Sequence, residues 1–414
     1  MSDKRVLLIC YYFPPLGGAG IGRPLAMYRN LERFGWEGHV LTVKDVLYRV
    51  YEPSLLEKLD KDYIYRSDSF DPQRQLWRLG KRRMGATLDH GAASSANLFF
   101  PDNKRGWVRY AVKMGRALHE QNQYRAIISS SPPISGHLVG QQLHRELNLP
   151  WIADFRDFWT SYTIEQTYQP ERLKRKAHHL LKSVREQARL TVCNPSIAAY
   201  LGDGKVIYNS YDEEDAALWT EPPHDSMFRI ALLGTFNELT PVNPLFQVIR
   251  TVLDHNPDLV DQIELIQVGN VNRAELEKII SRKLPEVRTA FHGFQERGDT
   301  IRLLNSCHLM YIGLNDDTGR EIIPGRLFTM FASGRPVLAA VDEGSASGRL
   351  IGETGNGLCF SDQTAGTAAE YLESLISRWN HHDLDIIPGP GYSQKFSSVE
   401  LAQQFAGVLD EIVG

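Results

Sequence analysis

The chain has 414 residues, 42% hydrophobic and 23% charged, and its 46 Lys plus Arg against 50 Asp plus Glu leave a formal net charge of −4. At about 150 residues per domain this length predicts two or three domains, each with its own core, and the composition excludes a disordered chain. The slightly acidic balance argues against nucleic acid as the main partner, and no run reaches the roughly 18 apolar residues of a membrane span. Cys10, Cys193, Cys307 and Cys359 are scattered and fit neither a disulfide scaffold nor a CxxC metal site. The opening Met1-Ser2-Asp3-Lys4-Arg5 shows no signal-peptide pattern, so a cytoplasmic, multi-domain enzyme is expected.

Val6 to Tyr12 is a short apolar run of the kind buried on both faces of a parallel sheet. Phe13-Pro14-Pro15-Leu16-Gly17-Gly18-Ala19-Gly20 must be a loop. Pro24 suits the first turn of a helix, Met27, Leu31 and Phe34 continue it, and Gly35 ends it. His39 to Val43 reads as the next strand, completing a βαβ unit. Residues 50 to 110 read as an irregular insertion containing the basic run Arg74 to Arg83. Ala126 to Ser129 is strand-like, followed by a helix with Leu138, Leu143 and Leu147 and a strand at Trp151 to Asp154. Glu171 to Arg189 is a long polar helix.

The pattern resets at residues 205 to 228, with a short strand at Val206 to Tyr208 and a linker at Glu221 to Asp225. Strands then recur at 229–233, 263–268, 288–292, 308–314, 335–341 and 357–360, with helical patterns between them. This alternation predicts an α/β chain of two tandem doubly wound domains, 1–204 and 205–395. Val399 to Val413 forms an amphipathic helix, and the final segment, 396–414, is expected to pack back on the first domain.

In open α/β sheets ligands bind beyond the carboxyl ends of the strands. Two loops there stand out. Gly17, Gly18 and Gly20 lie before a helix start, where glycines let a backbone approach an anion; the spacing is not GxGxxG, and a plain tight turn is the alternative. Glu321-Ile322-Ile323-Pro324-Gly325-Arg326-Leu327-Phe328-Thr329 carries a Pro-Gly helix start. The N–H groups of Gly325, Arg326 and Leu327 suit a diphosphate, Arg326 adds charge-assisted bonds, and Glu321 and Thr329 can face one pocket. The competing reading is helix capping by Glu321 with Arg326 in a surface ion pair.

These residues carry a resemblance. The Phe-Pro-Pro-x-Gly-Gly-x-Gly loop, Ser130-Ser131-Pro132-Pro133-Ile134-Ser135-Gly136-His137, and Asp154-Phe155-Arg156-Asp157-Phe158-Trp159 resemble the N-terminal half of a retaining GT-B glycosyltransferase of family four. Pro324 to Val337 resembles that family's donor-binding motif. The resemblance implies two Rossmann-like domains facing a central cleft and a metal-independent reaction without a cofactor, the nucleotide-sugar being a substrate. Glu321 occupies the first of the family's two glutamate positions, and Thr329 stands at the second. No Arg–Lys pair accompanies Gly234-Thr235, and Arg326 is read as the substitute charge.

Glu321, Arg326 and His137 are accordingly the candidate catalytic residues. Gly234, Thr235, Asn270, His292 and Ile323 join the loop residues as candidate donor contacts, and Asp157, Arg156 and Ser131 as candidate acceptor contacts. His137 either touches the donor sugar or only caps its neighbours, and a structural Asp–Arg ion pair is the plainer reading of Asp154, Arg156 and Asp157. Asn315-Asp316-Asp317 is not an Asp-x-Asp metal motif.

The reaction expected from the resemblance is sugar transfer from a nucleotide diphosphate to a glycan or lipid-linked acceptor with retention, in cell-surface polysaccharide synthesis. A nucleotide-sugar 2-epimerase and a non-catalytic partner subunit are the rivals; a dinucleotide oxidoreductase lacks its GxGxxG. The mix of basic residues with Leu76, Trp77, Leu79 and Met84 suits peripheral contact with an anionic membrane, or else a solvated insertion.

Overall fold

A computed structural model describes residues 4–18, 20–82, 98–315, 319–386 and 394–414. The chain divides into two units, one running to Ser210 and returning with Ser398–Gly414, the other spanning Tyr211–Ser397. Each has its own hydrophobic core.

The first unit is built on a seven-stranded parallel sheet of order β3-β2-β1-β4-β5-β6-β7. Its strands are β1 (Arg5–Ile9), β2 (Glu37–Val43), β3 (Ile64–Ser67), β4 (Ala126–Ser131), β5 (Trp151–Phe155), β6 (Arg189–Val192) and β7 (Lys205–Val206). The inner strands β4 and β5 are buried along their whole length, because helices cover both faces. The first helix, Gly22–Asn30, has Pro24 in its opening turn, where no backbone donor is needed. A 3-10 turn, Leu31–Phe34, closes on Gly35 at φ 85°.

Three expectations need correction. The 50–110 segment is not an irregular insertion: it supplies β3, which pairs with β2, and the helices Pro53–Glu57, Pro72–Arg78 and Val108–Asn122. The stretch 205–208 does not open the second domain, since β7 pairs with β6 in the first sheet. The apolar run Val6–Tyr12 leaves the sheet at Ile9, which frees Tyr11 and Tyr12 for the carboxyl edge.

The final helix, Ser398–Val413, belongs to the first unit. Leu401, Phe405, Val408 and Leu409 fill that unit's core. Asn30 Nδ2 donates to Ser398 Oγ at 3.2 Å and Trp36 Nε1 to Asp410 at 3.0 Å.

The second unit holds a six-stranded parallel sheet of order β10-β9-β8-β11-β12-β13. Its strands are β8 (Phe228–Leu233), β9 (Ile263–Val268), β10 (Arg288–Phe291), β11 (Leu309–Gly313), β12 (Val337–Ala340) and β13 (Gly357–Phe360). Both sheets reverse their winding direction once, between β1 and β4 and between β8 and β11. Loops splay apart at such points, so each carboxyl edge there is a natural ligand crevice.

Candidate functional site

The second unit's switch point is assembled from chain segments that no side chain separates. β8 ends at Gly234 (φ +102°) and β9 at Gly269 (φ +135°), conformations L side chains rarely adopt. A Cβ on Gly269 would lie 2.5 Å from the Gly234 carbonyl oxygen, and one on Gly234 would lie 2.7 Å from Arg326 Nη1. Backbone bonds lace the tips together: Gly234 N donates to Val268 O at 2.8 Å and Gly269 N to Gly293 O at 2.7 Å. The result is a bare backbone floor at the tips of β8, β9 and β10. Gly269→Ala is therefore expected to destabilise the second unit, read by thermal melting; an unchanged melting temperature would mean that the bare floor is not sterically required.

Arg326 sits at this floor. It is the second residue of the helix Gly325–Ala332, whose N-cap is Pro324. Leu327, Phe328, Met330, Phe331 and Ala332 are buried, which fixes the helix and leaves Gly325, Arg326 and Thr329 on the open side. Arg326 Nη1 reaches the Thr235 carbonyl at only 3.5 Å. Its Nε and Nη2 are buried and have no hydrogen-bond partner, and no carboxylate among the described residues pairs with it. Desolvation pulls its pKa down to about 10, opposed by Tyr311, so the guanidinium stays charged at neutral pH. A half-buried cation with two enclosed, open donors above a glycine floor, at a helix N-terminus, is a site shaped for an anion.

Asn270 is exposed and His292 half-buried at the tips of β9 and β10, on the same carboxyl edge as Gly234 and the exposed Thr235. His292 N donates to Gln267 O at 2.9 Å and its carbonyl accepts from Gln295 at 2.8 Å. Glu321 and Ile323 are half-buried in the segment before the helix. That segment is anchored by Ala346 N to Arg320 O at 2.8 Å and Ser347 Oγ to Ile322 O at 2.7 Å. Leu327 needs correction as a phosphate donor, because its N–H is already bonded to Pro324 O at 3.0 Å. Asp316 and Asp317 lie outside the described residues.

The first unit treats its candidate residues differently. His137 is fully buried, not at a cleft edge: Nδ1 meets Ser129 Oγ at 2.8 Å, the ring packs 4.5 Å from Phe155, and burial drives its pKa down to about 3. Ser131 is buried too, its hydroxyl directed to the Asp154 carbonyl. Arg156 spends its donors on three backbone carbonyls, those of Ser131 (3.0 Å), Pro132 (2.8 Å) and Gly20, and so clamps two loops together. The ion pair expected within Asp154, Arg156 and Asp157 is instead Asp154 with Arg23, at 2.7 Å and fully buried.

Gly17 N donates to Val50 O at 2.9 Å and Gly18 N to Glu52 Oε1 at 3.3 Å, so these two N–H groups are bonded within the chain rather than free for an anion. Asp157 is open to solvent yet hemmed in by protein, and desolvation raises its pKa against the pull of Arg156.

In the basic run, Asp68 binds both Arg74 (2.9 Å) and Arg78, and Arg82 lies over the Trp77 ring. Arg83 and Met84 lie outside the described residues. No helix among the described residues is long and apolar enough to cross a membrane.

Gly269 and Lys104 were missed by the sequence reading. Val268-Gly269-Asn270 does carry a signal, a glycine ending an apolar strand; nothing in the local sequence marks Lys104 as buried.

No family model matches the chain and no curated protein does. Among solved structures it is similar to sucrose-phosphate synthase from Thermosynechococcus elongatus, at 15% identity, TM-score 0.62 and 99% coverage of both chains. By fold, this is a GT-B chain. The trehalose-6-phosphate structure from E. coli bound with UDP-2-fluoro glucose matches at 12% identity, TM-score 0.60 and 99% coverage of both. A putative UDP-N-acetylglucosamine 2-epimerase from Listeria monocytogenes matches at 12%, TM-score 0.54, covering 98% of this chain and 96% of that one.

Proposed function

We propose that this GT-B chain is a glycosyltransferase that takes a sugar from a nucleotide-diphosphate donor and passes it, with retention, to a glycan or lipid-linked acceptor in cell-surface polysaccharide synthesis. The observation that carries the proposal is Arg326, whose buried, unpaired Nε and Nη2 stand at the glycine floor of the second sheet. When the bond from the anomeric carbon to the leaving phosphate oxygen breaks, negative charge grows on the diphosphate. Arg326 and the N-terminus of the helix Gly325–Ala332 stabilise it without reorganising.

The acceptor hydroxyl forms the new bond to that carbon, and its proton passes to the departing phosphate oxygen, so no separate base is needed. Glu321 holds hydroxyls of the donor sugar. Thr329 lies one turn into the helix near the ribose, and Asn270 and His292 line the base side. Asp157, open to solvent at the tip of β5, is the acceptor contact retained from the first unit. The reaction belongs in the cytoplasm, where nucleotide sugars are made.

The test is product analysis with a panel of nucleotide sugars, with and without glycan and lipid-linked acceptors. Transfer requiring an acceptor supports the proposal; inversion of the donor sugar at C2 without one makes the chain an epimerase. Glu321→Ala is expected to cut transfer at least 10²-fold with an unchanged melting temperature, since a loop carboxylate away from a core contributes little to stability. A variant that transfers normally removes Glu321 from the site.

A further inference from the structure

At the carboxyl edge of the first sheet, Lys104 has an environment unlike that of any ordinary structural lysine. Lys104 is 2% exposed, its Nζ lies 5.4 Å from the centre of the Tyr11 ring, and among the described residues that Nζ has no hydrogen-bond partner. The two nearby carboxylates are committed elsewhere. Asp102 accepts from Ser135 N, Ser135 Oγ and the Lys104 backbone N–H, each at 2.8 Å. Asp71 accepts from Tyr11 Oη at 2.7 Å, Ser69 Oγ at 2.5 Å and Arg74 N at 3.0 Å.

The same unit shows what a satisfied buried cation looks like: Arg23 meets Asp154 and the carbonyls of Ile207 and Tyr208. Among the described residues Lys104 has three open donors, and its desolvation is offset only in part, by the Tyr11 ring and the attraction of Asp71 and Asp102. Burial lowers its pKa to about 8 against the attraction of Asp71 and Asp102, so it is charged at neutral pH.

The surroundings choose the ligand. Asp71 and Asp102 are the charged groups that act on Lys104, so the cluster is net negative and the two carboxylates would repel an anionic group. Hydroxyl oxygens accept from an ammonium without that repulsion. Tyr12, half-buried, stands edge-on to Tyr11 (5.0 Å) and tilted against Tyr48 (5.2 Å), giving an aromatic wall for the C–H face of a sugar ring. The cluster draws on the ends of β1 and β3 and the loop after β4, beside the first sheet's own switch point.

We propose that Lys104, backed by Tyr11 and Tyr12, is an acceptor-binding residue that hydrogen-bonds the hydroxyl oxygens of an uncharged pyranoside. This rests on the reading of the chain as a sugar transferase and names the class of acceptor end it takes.

Saturation-transfer NMR with methyl α-glucopyranoside, methyl α-galactopyranoside and methyl α-mannopyranoside tests it on the full chain, without any donor. At least one glycoside is expected to bind the wild type, at least tenfold more weakly to Lys104→Met and at least fivefold more weakly to Tyr12→Leu. Tyr12→Leu leaves the buried charges in place and keeps the test decisive should Lys104→Met not fold. Equal binding to wild type and variants, no binding to the wild type, or tighter binding of inorganic phosphate than of any glycoside overturns the proposal. Absence of any donor chemistry in the wild type would count against the transferase reading, while the glycoside binding would still judge Lys104.

Discussion

Arg326→Met is expected to weaken nucleotide-diphosphate binding about 10²-fold while leaving the melting temperature unchanged or higher. In the free protein the guanidinium makes one long bond, to the Thr235 carbonyl, and keeps two buried donors unmade. Removing it therefore costs the fold little. In the proposed complex each of those donors would meet a phosphate oxygen, and a charge-assisted hydrogen bond contributes about 1.5–3 kcal/mol. Two of them correspond to at least about 3 kcal/mol, or about two decades in affinity. Calorimetric titration with UDP beside a thermal melt separates the two effects. A lower melting temperature with unchanged affinity would make Arg326 a structural residue and leave the diphosphate without its main cation.

The opposite signature is expected for Asp154→Ala, with a loss of about 3–5 kcal/mol in the stability of the first unit, because a buried charge is left uncompensated. Asp154 receives Arg23 through Nε (2.9 Å) and Nη2 (2.7 Å), with Ser130 (2.7 Å) and Thr191 (2.9 Å) completing its shell. Arg23 in turn holds the chain at Ile207 and Tyr208 and lies 4.9 Å from the Phe405 ring of the final helix. One ion pair thus ties β5, the first helix, the end of the unit and its returning helix together.

Burial would raise the Asp154 pKa, but attraction and hydrogen bonds from Arg23 outweigh it and the value is lowered. The pair's stabilisation is therefore complete above the unfolded carboxylate value of about 3.9 and is lost as pH falls through the lower folded value. Urea unfolding at pH 7 measures the effect. Arg23→Met combined with Asp154→Leu should recover most of the loss, since no charge is stranded; a single variant costing under about 1 kcal/mol would show the pair to be weakly coupled to the fold.

Both doubly wound units were legible because buried parallel strands are written as apolar runs and their loops as glycine and proline. β3 was not, since Ile64-Tyr65-Arg66-Ser67 is an edge strand with a polar half; the short strand at β7 was read, but not that it closes the first sheet. In the second unit the helix start at the candidate loop was readable, because Pro324-Gly325 marks it in the sequence. In the first unit the fate of the candidate side chains was not. Periodicity does not say which face of a helix turns inward, and His137 turns toward Ser129 and Phe155. Arg156 and Gly17–Gly18 look like ligand-binding residues in sequence, yet distant segments consume them, through backbone carbonyls for Arg156 and Gly17 and the Glu52 carboxylate for Gly18. Lys104 escaped for the converse reason: burial of a loop lysine is a tertiary property with no local trace.

The most direct test is a crystal structure of the chain soaked with UDP. The diphosphate is expected within hydrogen-bonding distance of Arg326 Nε or Nη2 and of the Gly325 N–H, resting on the Gly234–Gly269 floor. A diphosphate bound instead at Gly17–Gly20, with Arg326 still unpartnered, would contradict the assignment of the donor site.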